Sequence, residues 1–266
     1  MTAVAAAVTI SGCTVPPADI PPEDNEEIIA PVLPDSGAQE TPDISVPEIP
    51  EPEPPKRKTV TYLNVLADGV NIRSGAGTGY SVRGSAEKST MYALDGSSDG
   101  WYKTGYKNKS AYISSKYCKE ITMLASEDER IEAVIAEGAK LLGTAYVFGA
   151  VRYHDGSGRL LKDFTTGAFD CSSLMQYIFY KGAAVNLHLT TRTQIYQGKT
   201  VTKSQLIRGD LMFFTNAQRK DKVGVERVGH VALYLGDNWI LHTASDYAKI
   251  EQISSTRWGY FIQGQR

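Results

Sequence analysis

All 12 prolines of this 266-residue chain lie between Pro16 and Pro55, and nothing after Pro55 is proline. Proline fixes φ and removes a backbone donor, so it interrupts helices and central strands. A chain divided this way builds its packed structure downstream of the proline block. The charge divides at the same place. Residues 1–58 hold 11 carboxylates against Lys56, Arg57 and Lys58, a net of −8, whereas residues 59–266 hold 25 basic and 19 acidic side chains, a net of +6. The overall net charge of −2 describes neither part. A surplus of six over so long a segment is too thin for a nucleic-acid footprint, so no nucleic-acid partner is expected. It suits a surface that meets anionic polymers, cell-wall polymers included, and equally ordinary solvated charge. No apolar run reaches the roughly 18 residues of a membrane-spanning helix, and three cysteines (Cys13, Cys118, Cys171) cannot make a disulfide framework.

Residues 2–10 are small and apolar and run into Ile10-Ser11-Gly12-Cys13. This resembles a bacterial lipoprotein signal, in which the cysteine is lipidated, although the basic n-region of a secretory signal is missing. Acyl chains on Cys13 would anchor the chain to a membrane, each buried methylene contributing about 0.8 kcal/mol. Residues 14–58 are acidic, proline-rich and poor in aromatics, so disorder is expected. In polyproline II such a spacer reaches roughly 3.1 Å per residue.

Residues 59–122 carry short apolar runs (Val60–Val65, Val70–Ile72, Met91–Leu94, Trp101–Thr104, Ala111–Ile113) between Gly, Asp, Asn and Ser turns. That pattern predicts a small all-β barrel or sandwich. Val70-Asn71-Ile72-Arg73-Ser74-Gly75, Gly100-Trp101-Tyr102 and Ala111-Tyr112-Ile113 resemble bacterial SH3-type domains. Asp68, Arg73 and Tyr80 are candidates to meet a ligand and equally turn residues; Cys118 reads as a packed thiol.

Residues 126–142 are expected to be a helix opened by a Ser126/Glu129 capping box, and the chemistry follows it. In Phe169-Asp170-Cys171-Ser172-Ser173-Leu174-Met175-Gln176-Tyr177-Ile178-Phe179, the apolar positions three, four, seven and eight after Cys171 form the buried stripe of a helix. Asp170 is its candidate N-cap. Cys171 thus stands in the first helical turn, where the positive helix end favours a thiolate, and becomes a candidate nucleophile. A buried structural cysteine is the competing reading. Of the four histidines (His154, His188, His230, His242), two share a hairpin pattern: Gly229–Leu235 and Trp239–Ala244 both alternate. A three-residue loop centred on Asp237 sets Leu235 opposite Trp239 and His242 opposite Ala232. His230 and His242 then become diagonal neighbours on one face, within side-chain reach. A nucleophile, a base and an orienting group follow from that set. Asp210, at the turn before Leu211–Phe214, either caps that turn or positions a catalytic group, the first being favoured.

Tyr146-Val147-Phe148-Gly149, Phe169–Ser173, Arg208-Gly209-Asp210-Leu211-Met212-Phe213-Phe214, Gly229–Gly236 and Leu241-His242-Thr243-Ala244 occur in the order of the NlpC-type cell-wall cysteine peptidases. The chain resembles that family over about residues 125–266, with the SH3-type module a frequent companion. The resemblance implies an α+β fold class: a small all-β SH3-like barrel followed by a papain-like domain whose helix-borne Cys packs on an antiparallel sheet. It implies four segments: 1–13 lipoprotein signal, 14–58 linker, 59–122 SH3-type domain and 123–266 peptidase. It further implies Cys171 as nucleophile, His230 as base and His242 as the residue orienting it, with no metal and no cofactor. Tyr146, Arg152, Asp170, Ser172 and Asp210 are the candidates for oxyanion or substrate binding. The implied partner is a peptidoglycan stem peptide or muropeptide cut at a γ-D-glutamyl–diamino acid bond. The implied location is extracytoplasmic, membrane-anchored or wall-associated. Residues 151–164, carrying Arg152, His154, Arg159 and Lys162, exceed the minimal family pattern and are expected to form a loop over the cleft. Leu189-Thr190-Thr191-Arg192-Thr193 departs from a Leu-Pro-Arg-Thr-like stretch. Three other readings stand beside this one: another thiol-dependent wall amidase or acyltransferase, a non-catalytic wall-binding lipoprotein, and a zinc hydrolase using Cys171, His230 and His242.

Overall fold

The computed structural model describes residues 57–266. Cys13 and almost all of the 14–58 spacer lie outside the described residues. Lys58, assigned to the spacer, belongs to the folded part: its carbonyl accepts from Ala125 N–H at 2.9 Å.

Eight strands make the β module: β1 (Thr59–Val65), β2 (Val70–Arg73), β3 (Val82–Ala86), β4 (Thr90–Ala93), β5 (Gly96–Ser98), β6 (Trp101–Tyr106), β7 (Lys109–Ser114) and β8 (Cys118–Leu124). The predicted apolar runs lie in β1, β2, β4, β6 and β7. Strands β3, β5 and β8 are additional, because few of their residues are buried and their hydrophobic signal is weak. Five strands form one sheet in the order β3-β2-β7-β6-β5. Arg73 donates to the Tyr80 carbonyl at 2.8 Å and Asp68 accepts from Lys88 N–H at 2.9 Å, so both are tied into turns.

The remainder comprises α1 (Glu129–Lys140), β9 (Ala145–Tyr146), β10 (Ala168–Phe169), α2 (Cys171–Ala183), α3 (Thr191–Gln194), β11 (Thr200–Val201), β12 (Leu211–Phe214), β13 (His230–Gly236), β14 (Trp239–Ala244), β15 (Tyr247–Gln252), α4 (Ser255–Gly259) and β16 (Phe261–Gln265). Helix α1 starts three residues later than expected. Its N-cap is Asp128, whose carboxylate accepts from Arg130 N–H at 2.9 Å, while Ser126 Oγ accepts from Asp128 N–H one turn earlier. Helix α2 packs on α1 and on strands β13 and β14, burying Leu174, Met175 and Ile178 completely. The approach of α2 to α1 is close: a Cβ at Gly182 would collide with the backbone of Val134.

The two parts share one sheet. Strands run in the order β11-β16-β12-β13-β14-β15-β4-β1-β8, and the bridge is the antiparallel pair β15–β4, with Ile250 opposite Met91 and Glu251 opposite Thr90. A boundary near residue 122 therefore divides the sequence but not the hydrogen-bonded sheet. Arg208 reinforces the joint. Its guanidinium donates to Tyr62 Oη on β1 at 2.7 Å, to both Glu132 oxygens on α1 at 2.6 and 2.8 Å, and to the Leu235 carbonyl at 2.8 Å. Among the described residues no helix is long and apolar enough to cross a membrane.

Candidate active site

Asp170 caps α2 as the sequence predicts. Its Oδ1 accepts from Ser173 N–H at 2.8 Å, and Ser173 Oγ accepts from Asp170 N–H at 2.9 Å, a reciprocal capping box. That cap presents Cys171 as the first helical residue, with its side chain nearly buried.

The hairpin brings the two histidines together. Leu233 pairs with Leu241 and Tyr234 with Ile240, the register expected for the strand bodies, and continuing it sets His242 across from Ala232. The turn is tighter than expected. Gly236 pairs with Trp239, Asp237 and Asn238 take φ values of 46° and 66°, and an irregularity between Tyr234 and Gly236 absorbs the extra residue. His230 Nε2 lies 3.0 Å from His242 Nδ1, with the rings edge to face. His242 Nε2 lies 3.0 Å from Glu251 Oε1 on β15, and Arg257 Nη2 donates to the same oxygen at 3.2 Å. With both ring nitrogens of His242 engaged, Cys171, His230 and His242 do not form a metal cradle. Among the described residues no group of three or more His, Cys, Asp or Glu side chains is arranged to hold a metal ion.

Cys171 and His230 line one cleft of about 340 Å³, together with Tyr146, Asn216, Arg257 and Tyr260. A second hollow of about 140 Å³ shares Tyr146, Cys171 and Gly229 and adds Arg152, Arg192 and Arg219. Cys171 thus borders both hollows. Burial is the dominant influence on the site's proton affinities. It pushes the Cys171 thiol up to about 11, the nearby Asp170 carboxylate adding to this, and the Val231 and Ser172 N–H groups only partly offset it. Burial, His242 and Arg257 all hold His230 well below the usual imidazole range. The helix-end preference for thiolate is therefore outweighed for an isolated charge. Burial disfavours an isolated thiolate at Cys171 and an isolated imidazolium at His230 alike.

Other predicted site residues are placed as follows. Arg152 contacts Asp170 Oδ2 at 2.8 Å, Ser172 Oγ at 3.2 Å, and the carbonyls of Ala150 and Leu189 at 2.9 and 2.7 Å. Arg152, Asp170 and Ser172 form one network on the wall of the smaller hollow. Asp210 is elsewhere and reads as a correction to the candidate set. Its carboxylate accepts from Ile207 N–H at 2.8 Å and pairs with Arg266 at 2.9 Å, so it closes a turn. The 151–164 loop also differs from expectation. Tyr153 stacks edge-on against Tyr177 and Tyr180 of α2, His154 is completely buried, and Arg159 pairs with Asp155; of its basic side chains only Arg152 reaches the cleft. Aromatic packing on α2 outweighs any exposed arrangement of this loop. Cys118, half-buried, has its thiol pushed up to about 11 by burial alone. Sequence reasoning missed Glu251 and Arg257. Neither lies in a motif, and only the folding of β15 and α4 against β14 brings them to His242.

A helix-borne cysteine set against histidines on an antiparallel sheet is the papain-like arrangement that the resemblance implied. Residues 143–266 match the NlpC/P60 family and residues 68–119 the bacterial SH3 domain, so the chain joins an SH3-type module to an NlpC/P60 domain. Among its relatives, the peptidoglycan DL-endopeptidase CwlO of Bacillus licheniformis is 29% identical over 145 residues, which is 54% of this chain and 29% of that one. The gamma-DL-glutamyl hydrolase of Bacillus subtilis is 28% identical over 170 residues, 64% of this chain and 37% of that one. A solved NlpC/P60 family protein from Bacillus cereus superposes with a TM-score of 0.41 at 20% identity, covering 78% of this chain and 63% of that one. The chain spans well under half the length of these two curated relatives.

Proposed function

We propose that the protein is a cysteine peptidase of the bacterial cell wall that cleaves peptidoglycan stem peptides at a γ-D-glutamyl–diamino acid bond. The observation that carries this reading is the placement of Cys171 and His230 on one cleft wall with His230 Nε2 held by His242. The printed activities of the two relatives, a DL-endopeptidase and a gamma-DL-glutamyl hydrolase, support the bond class. The reaction begins with transfer of the Cys171 proton to His230 Nδ1, the ring nitrogen that His242 leaves free. The sulfur adds to the γ-carbonyl carbon, and the oxygen takes up negative charge near the N-terminus of α2. One oxyanion donor is worth about 3–4 kcal/mol of barrier, and the Cys171 N–H and Tyr146 hydroxyl are the candidates. The C–N bond then breaks as His230 returns its proton to the amine. Water, deprotonated by His230, hydrolyses the thioester and frees the sulfur. Arg257 lines one hollow, paired with Glu251, and Arg192 and Arg219 line the other, both paired with Glu226; a substrate carboxylate would meet them in competition with those partners.

Lipidation of Cys13, with the proline-rich segment as a spacer from a membrane to the wall, belongs to the same proposal. Purified peptidoglycan digested with wild type and with Cys171→Ala, then analysed by mass spectrometry, tests the activity. Stem-peptide fragments ending in D-glutamate from wild type alone are expected. Intact peptides freed from the sugar would mean an amidase, and the same fragments from both proteins would overturn the role of Cys171.

A further inference from the structure

Glu251 enters no step of the reaction above, yet it ends the line of hydrogen bonds that begins at His230. An ionised carboxylate only accepts hydrogen bonds. At 3.0 Å from Glu251 Oε1, His242 Nε2 therefore carries a proton, and a neutral His242 keeps a bare Nδ1. That bare nitrogen faces His230 Nε2 at 3.0 Å and can only accept, so the His230 proton resides on Nε2. His230 Nδ1 is then unprotonated, its lone pair free to accept a proton, the form a general base requires. One carboxylate, two rings away from the sulfur, decides the tautomer of both imidazoles.

We propose that Glu251 is a positioning residue of this site, the fourth member of a Cys171–His230–His242–Glu251 line, and that the SH3-type module holds it in place through the β4–β15 ladder. The proposal rests on the reading of Cys171 and His230 as nucleophile and base.

Three observations support it beyond the distances. First, the groups facing Glu251 keep it ionised. Burial opposes its charge, but the hydrogen bond and charge of His242, then the charges of Arg257 and Lys249, outweigh burial and bring its carboxyl down to about 2. Lys249 itself is paired with Asp246 at 2.6 Å and Glu87 at 3.3 Å. From β4, the residue opposite Glu251 is the uncharged Thr90. Second, Glu251 is the anion in contact with His242. Burial, Arg257 and Lys249 disfavour a positive His242, and Glu251 alone favours one. An imidazolium formed at His230 is opposed by burial, His242 and Arg257, and Glu251 reaches it only through its hydrogen bond to His242. Third, the backbone at Glu251 is paired on both sides, with Ile240 on β14 and Thr90 on β4, and its neighbour Ile250 is fully buried against Met91 of β4. The carboxylate is delivered by a central strand of the joined sheet.

The test needs no substrate. Alkylation of Cys171 by iodoacetamide reports its thiolate directly, and peptide mass spectrometry separates it from Cys13 and Cys118. In the full chain, wild-type Cys171 is expected to react at neutral pH at a rate that depends on His230. Glu251→Gln, which removes the charge, should slow Cys171 alkylation at pH 7 at least tenfold and move its rise to higher pH. Glu251→Asp should recover part of the rate. A Glu251→Gln rate and profile within twofold of wild type would overturn the role of Glu251. Should that variant not fold, the imidazole 15N shifts of wild type decide: a proton on His242 Nε2 and His230 Nε2 supports the proposal, and one on His242 Nδ1 overturns it. Equal alkylation of wild type and His230→Ala would overturn the nucleophile–base reading, and the proposal with it.

Discussion

His230 and His242 stand on adjacent strands of one hairpin, and their rings meet with Nε2 of the first 3.0 Å from Nδ1 of the second. The contact leaves one nitrogen of His230 for the cleft and gives each histidine a separate duty. Replacing His230 with Ala removes the proton acceptor itself. kcat/KM on a stem-peptide substrate should fall on the order of 10²–10⁴, the usual worth of a positioned general base.

His242 acts through His230, so its replacements should be graded. His242→Gln keeps a group able to accept from His230 Nε2–H, whereas His242→Leu leaves that donor buried without a partner. The Leu variant should lose more kcat than the Gln variant, with KM changed little in either. Steady-state kinetics on both proteins checks the order.

Acid should destabilise the protein in two stages. Burial holds His230 and His242 below the usual imidazole range. The unfolded chain therefore binds more protons than the native one below about pH 6.5, and stability falls as pH drops from there. Glu251, brought down to about 2, adds stability that is present above its unfolded value near 4.5 and is lost as pH falls toward 2. Urea unfolding between pH 8 and 3 should show the first decline near 6.5, and His230→Asn should diminish it.

Glu132 and Arg208 tie α1 to strands β1 and β13 of the joined sheet, and the guanidinium is almost wholly buried. Glu132→Gln leaves that charge without a counter-ion. The full cost of such a break is about 3–5 kcal/mol, and the partial exposure of Glu132 reduces it to about 2–3 kcal/mol. Chemical denaturation should give a single, earlier transition for the whole of residues 57–266, because Arg208 also bonds Tyr62 of the β module.

Gly182→Ala tests the helix crossing that carries the nucleophile. Alanine would gain about 1 kcal/mol of helix propensity, but its Cβ would collide with the Val134 backbone, where overpacking costs about 1–3 kcal/mol. Backbone atoms cannot rotate aside as a side chain can, so net destabilisation is expected, measurable as a lower Tm.

Much of the site was legible before the fold was known, because its signals are local. Asp170 as cap, Cys171 in the first turn and Leu174, Met175, Ile178 and Phe179 as the buried stripe follow from a 3.6-residue period. The register of the histidine hairpin follows from a two-residue period. Signals that depend on neighbours distant in sequence were misjudged. The basic 151–164 loop read as a cleft cover, but Tyr153 anchors it on α2 and His154 is buried. Asp210, favoured as a turn residue, is one, accepting from Ile207 N–H; only its pairing with Arg266, 56 residues on, had no local signal.

By itself, then, the amino-acid sequence determined where packing is possible, which helix carries the thiol and which two histidines share a sheet face. Periodicity and proline placement act over a few residues and need no tertiary partner to be read. Only the tertiary structure decided the third link of the proton line and the union of the two parts. Glu251 reaches His242 because β15 returns antiparallel beside β14, and β15 is held from its other side by β4, some 160 residues earlier in the chain. Backbone pairing carries no local sequence signature of its partner, so a carboxylate on such a strand acquires its role only when the sheet closes.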